Sequence, residues 1–140
     1  MPTLFTRIIQ GEIPGRFIWR DAQCVAFLTI APLRPGHTLV VPIREVDHWL
    51  DLAPAELAHL TAVAQKIGRA VQAAFSPVKV GLMIAGLEVP HVHLHVVPIH
   101  ELRDLDFARA ESSPSPAAMD EAAERLRIAL GSAGHTEVSA

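Results

Sequence analysis

Hydrophobic positions along the chain change period several times, and each change marks an element. Between Pro54 and Phe75 the apolar residues Leu57, Leu60, Ala64, Ile67, Val71 and Ala74 recur every three or four positions without an intervening proline. That spacing predicts one long amphipathic helix. Pro54 suits its first turn, Glu56 complements the positive end of its dipole, and Lys66, Arg69 and Gln72 mark a solvated opposite face. A shorter helical pattern, Phe5, Ile8 and Ile9, runs toward Gly11 within residues 5–13. After the Pro14-Gly15 turn, the runs 17–19 and 25–30 are aromatic or β-branched and flank the polar residues Asp21 and Gln23, which predicts a β-hairpin. Thr38 to Val41 reads as a third, buried strand between the Pro32, Pro35 and Gly36 loop and Pro42. Residues 78–85 and 89–99 predict an antiparallel pair joined by a very short link at Gly86. Ser112-Ser113-Pro114-Ser115-Pro116 forms a linker, and helical spacing resumes over 117–130 through Met119, Ala122, Ala123, Leu126 and Leu130. Residues from Ser132 onward are expected to fray. The pattern as a whole predicts about five short strands, one long helix, a short N-terminal helix and a C-terminal helix.

Composition narrows the class of partner. A chain of 140 residues, half of them apolar and 19% charged, can bury one compact core and is neither disordered nor a basic tail. The formal charge of −3 speaks against a long nucleic acid as partner and leaves room for a local small-anion site. Cys24 is the single cysteine, so neither an internal disulfide nor a multi-cysteine zinc site is expected, and a reducing compartment suits the chain. Met1 to Arg7 lacks the basic and apolar regions of a secretion signal, and no run reaches about 18 apolar residues. The expectation is a cytoplasmic protein with no membrane partner.

The informative segment is His91-Val92-His93-Leu94-His95-Val96-Val97-Pro98, where imidazoles alternate with apolar side chains. On a strand this puts three histidines on one face and Val92, Leu94 and Val96 on the other. Histidine as the polar residue of a half-exposed strand is the bland account, but three in register point to chemistry. A single metal ion is served poorly by all three, because the Cα atoms of His91 and His95 on a strand are about 13 Å apart. Two strand histidines with a third from His37, His48 or His100 remain an alternative. Covalent catalysis fits the spacing better: a central imidazole attacks phosphorus while its neighbours touch the same tetrahedral phosphate. That role requires an acceptor to hold one N–H of His93 and leave the other nitrogen unprotonated.

His91, Val92, His93, Leu94, His95, Val96 and Val97 match the His-φ-His-φ-His-φ-φ signature, and the chain resembles the histidine-triad superfamily. Phe5, Ile8, Gly11, Glu12, Ile13 and Pro14, and the run Pro35-Gly36-His37-Thr38-Leu39-Val40-Val41-Pro42, extend the resemblance over residues 3–107. It implies an α+β fold, an antiparallel sheet of about five strands with one long helix packed on it, with a histidine-triad domain at 1–107, 108–140 as linker and C-terminal helical extension, and a homodimer. It also implies a hydrolase or transferase, requiring no cofactor, that acts on the α-phosphate of purine nucleoside phosphoramidates, anhydrides or dinucleoside polyphosphates. His95, in place of glutamine, resembles the hydrolase branches. By position His93 corresponds to the nucleophile and His95 to a phosphate contact whose carbonyl orients His93. His91 and His37 correspond to supporting histidines, and Leu4, Phe5, Ile8, Phe27 and Ile30 to the base and ribose pocket.

Several positions depart from the pattern. Thr29 stands where an aspartate usually grips the ribose hydroxyls, which replaces two charge-assisted bonds with one hydroxyl. Met83 replaces a common asparagine, and Leu87-Glu88 replace the glutamine and serine that contact phosphate, with Glu88 set to repel it. The link from Met83 to His91 is shortened. Thr3, Thr6 and Glu45 occupy the ligand positions of a structural zinc found in some bacterial members, so no metal is expected there. These departures motivate an alternative reading as a nucleotide sensor or scaffold with little turnover.

Overall fold

A computed structural model describes residues 1–140. Its elements in chain order are α1 (Leu4–Ile9), β1 (Phe17–Arg20), β2 (Cys24–Leu28), β3 (Thr38–Pro42), α2 (Pro54–Phe75), β4 (Lys79–Ile84), β5 (Leu94–Ile99) and α3 (Pro116–Ser132). The five strands form one antiparallel sheet in the order β1-β2-β3-β5-β4. This is the expected α+β architecture, and α2 begins and ends where the spacing placed it. Pro54 occupies its first turn, and the Glu56 carboxylate accepts the Ala53 N–H at 2.9 Å, satisfying a donor that the helix itself leaves free.

Strand alternation divides the core in two. Ile18, Cys24, Ala26, Leu28, Val40, Leu94 and Val96 pack with Leu60, Ile67 and Val71 of α2 and with Leu126 and Leu130 of α3. The intervening residues Val25, Phe27, Leu39 and Val41 form a smaller cluster with Phe5 and Ile8 of α1. β2 and β3 are buried on both faces and so read as continuous apolar runs. The strand register aligns Phe17, Phe27, Leu39, His95 and Met83 in a row across the sheet. His95 therefore projects from the face opposite Leu94 and Val96, toward α1.

Two expectations need correction. Residues 89–93 are not strand: β5 starts at Leu94, and nine residues, 85–93, link it to β4. Pairing ends at Val40↔Leu94 and Ile84↔Leu94, and beyond that point the Val92 N–H turns to the Val46 carbonyl at 2.7 Å. The tail is not frayed. Arg20 N–H donates to the Glu137 carbonyl at 2.9 Å and Ser139 N–H to the Ile18 carbonyl at 3.2 Å, so the tail forms a short extra pairing along the edge of β1. The tail's own backbone groups satisfy those of that edge, which its small and polar side chains do not reveal.

Candidate active site

The site begins with backbone geometry at two turns. Gly36 has φ +97, and a Cβ there would stand 2.7 Å from the Phe75 ring, so only glycine lets the Pro35-Gly36-His37 turn pack against the end of α2. That turn delivers His37 to β3, beside β5 and His95. At the other end, His91 and His93 lie in the irregular segment before β5, where the His91 N–H bonds to the Val89 carbonyl at 2.8 Å, and their rings approach Phe5 of α1 edge-on at 5.8 and 4.8 Å between centroids.

Hydrogen bonds fix the proton position on every ring. His93 Nδ1 lies 2.7 Å from the His91 carbonyl oxygen, which can only accept. His93 therefore carries its proton on Nδ1 and keeps a lone pair on Nε2. The orienting carbonyl belongs to His91, not His95 as the resemblance implied, because the chain at 91–93 has left the ladder and its carbonyl is free to turn. The Leu33 N–H donates to His37 Nδ1 at 3.0 Å, which places the His37 proton on Nε2, 2.9 Å from His95 Nδ1. His95 accepts there and holds its own proton on Nε2. His91 donates from Nε2 to the Pro42 carbonyl at 2.7 Å and accepts the Thr3 hydroxyl at Nδ1 over 2.6 Å.

The tautomer logic requires neutral rings, and burial enforces it. Burial and the neighbouring His95 and His93 hold the His37 pKa down to about 3. Burial and the adjacent His93 hold His95 at about 4. His91 and His93 are lowered by burial too, partly offset by their bonds to the Pro42 and His91 carbonyls. The result is an unprotonated His93 Nε2 beside a His95 N–H donor, with ring centroids 4.9 Å apart.

Both rings line a cavity of about 690 Å³, a volume suited to a small organic ligand. Of the predicted residues, Leu4, Phe5, Ile8, Phe27, Thr29, Ile30 and Glu88 join His93 and His95 in its wall. His37 and His91 stand behind it as fully buried supports. Met83 and Leu87 are not part of the wall. Met83 pairs with His95 from the adjacent edge strand β4, and Leu87, 95% exposed, borders a separate depression near Trp49. The nine-residue link carries Leu87 outward while bringing Glu88 and Val89 in. The Thr29 hydroxyl accepts the Ala31 N–H at 3.2 Å. Ile13, Arg16, Leu39, Val89 and Asp120 also line the cavity, and sequence reasoning had not assigned them to it. Asp120 comes from α3 and pairs with Arg16 at 2.8 Å; its only sequence signal was a polar position on an amphipathic helix. Thr3 and Glu45 do meet, through the Thr3 N–H at 2.8 Å, and together they buttress His91.

The histidine arrangement agrees with a family model described as "HIT domain", which matches residues 10–102. The chain belongs to the HIT domain family. An uncharacterized HIT-like protein of Mycobacterium tuberculosis is 40% identical over 103 residues, covering 70% of this chain and 72% of that protein. The bis(5'-nucleosyl)-tetraphosphatase [asymmetrical] of Schizosaccharomyces pombe is 34% identical over 91 residues, covering 61% of this chain and 50% of that enzyme. Among solved structures, a zinc-bound histidine triad family protein from Mycobacterium smegmatis superposes with a TM-score of 0.80 at 30% identity, covering 93% of this chain and 94% of its own. No helix of this HIT protein is long and apolar enough to cross a membrane.

Proposed function

We propose that this HIT protein hydrolyses the α-phosphate bond of a purine nucleoside phosphoramidate, anhydride or dinucleoside polyphosphate through a covalent nucleotide on His93. The observation that carries this reading is the 2.7 Å bond from His93 Nδ1 to the His91 carbonyl, which leaves Nε2 as an uncharged nucleophile. Nε2 attacks phosphorus, the bond to the leaving oxygen or nitrogen breaks as that atom takes up a proton from solvent, and the ring's positive charge is held by its Nδ1–H···O=C bond. His95 Nε2–H donates to a non-bridging phosphate oxygen as charge builds there. Water then attacks phosphorus, the N–P bond breaks, a proton is released and nucleoside monophosphate leaves. Likeness to a dinucleoside tetraphosphatase supports this substrate range.

The test is incubation with adenosine 5′-phosphoramidate and an alkaline quench. A nucleotide mass increment on the His93 peptide, absent from His93→Ala, is expected. Binding of AMP with neither adduct nor turnover would establish the second reading, a nucleotide sensor. That reading is favoured by the Glu88 carboxylate in the cavity wall and by a Thr29 hydroxyl already engaged with the backbone.

A homodimer and a domain boundary at 107 complete the proposal. β4 is an edge strand, and its flank leaves Val78 and Leu82 69% and 53% exposed, a surface suited to a second copy. Light scattering showing a monomer at micromolar concentration would refute the dimer.

A further inference from the structure

On the helix-bearing face of the sheet, away from the triad, a second group of ligating side chains converges. Asp21 lies in the β1–β2 turn, Cys24 opens β2, and His59 comes from the second turn of α2, 38 positions from Asp21. His59 Nε2 is 2.9 Å from Asp21 Oδ2, Cys24 Sγ is 3.5 Å from the same oxygen, and all three ligand atoms lie within 4.8 Å of one another. We propose that Asp21, Cys24 and His59 bind one divalent transition-metal ion of the zinc type, clamping the β1–β2 hairpin to α2.

The donor set selects the ion: a thiolate, an imidazole and a carboxylate suit zinc, cobalt or nickel better than magnesium or calcium. Tetrahedral bonds of about 2.0–2.3 Å put ligand atoms about 3.5 Å apart, so shifts of about 1 Å bring all three onto one ion. The carboxylate is already oriented. Its Oδ1 accepts the Gln23 and Cys24 N–H groups at 2.8 and 2.9 Å, and Oδ2 accepts the Trp19 indole N–H at 2.9 Å. Burial opposes ionisation of Asp21, but these bonds and His59 outweigh it, so its pKa lies well below the usual range. The Cys24 S–H donates to Asp21 Oδ2 over 3.5 Å, and a bound ion takes the place of that proton. One carboxylate and one thiolate then neutralise a divalent charge within the buried corner. Asp21 and His59 are partly exposed, so water reaches two of the three ligands and can supply a fourth.

The test uses untagged full-length protein, stripped with chelator and titrated with Co²⁺. One equivalent should bind, produce a thiolate-to-cobalt charge-transfer band, release one proton and raise the melting temperature. His59→Ala, at a partly exposed position the fold tolerates, should weaken binding more than the about 10- to 100-fold that losing a supporting hydrogen bond costs. Cys24→Ala should abolish the band, and His95→Ala should leave it unchanged. Absence of the band, binding indifferent to His59→Ala, or binding lost in His95→Ala would overturn the proposal. None of these readouts depends on nucleotide chemistry.

Discussion

Replacing His37 with phenylalanine tests the wiring of the candidate active site most directly. The ring volume is kept, but the Leu33 N–H loses its acceptor and His95 Nδ1 loses the donor 2.9 Å away. The stranded, part-buried N–H should lower folding stability by about 1–3 kcal/mol. The larger consequence is for catalysis. With nothing donating to Nδ1, His95 is free to hold its proton there and present a bare Nε2 lone pair to the phosphate. Loss of one preorganised donor to a developing oxyanion costs about 2.7–4 kcal/mol, or about 10²- to 10³-fold in kcat. His37→Gln, which still carries an N–H donor, should recover part of that loss. ¹⁵N-detected histidine spectra report the tautomer, urea melts the stability, and phosphoramidate turnover the rate. If His37→Phe keeps the Nε2–H tautomer on His95, or shifts it while kcat stays unchanged, the relay from Leu33 through His37 to His95 is not what sets the donor.

Four further outcomes are expected. Acid should destabilise the fold: His37 and His95 have pKa values of about 3 and about 4 against an ordinary 6.5, so between those limits the unfolded chain binds protons that the folded chain refuses. Stability therefore falls as pH drops from 6.5 toward 4, by up to about 1.4 kcal/mol per pH unit for each ring, and a flat urea midpoint across that window would contradict it. Asp120→Ala should raise KM for nucleoside substrates and leave kcat and the melting temperature nearly unchanged, since its pair with Arg16 is solvent-exposed. Thr29→Asp should tighten nucleoside monophosphate binding by about 1 kcal/mol by calorimetry; no change would place the sugar elsewhere in the cavity. Deleting residues 136–140 removes the Arg20–Glu137 and Ser139–Ile18 backbone bonds and should cost about 1–3 kcal/mol in urea melts, whereas a frayed tail would cost nothing.

Local spacing by itself determined a good deal of this protein. The period of 3.6 over 54–75 defined α2 to the residue, the short β-branched runs located the strands, and the histidine alternation with the Pro-Gly-His run pointed to the family. These signals are local, since an element's period depends on which of its faces is buried. Tertiary structure decided what depends on partners distant in sequence. Whether 91–93 stayed in the sheet turned on Val46, 46 positions before Val92, taking its N–H, and that departure freed the His91 carbonyl to hold His93. The proton on His95 is set by Leu33 through His37, and the tail is held because β1 is an edge with unpaired backbone groups. Asp120 reaches the cavity only because α3 packs against α2 and β1, and Leu87 leaves it because a nine-residue link turns outward. Hydrogen-bond direction and cavity lining are properties of groups brought together by packing, and no period along the chain encodes them.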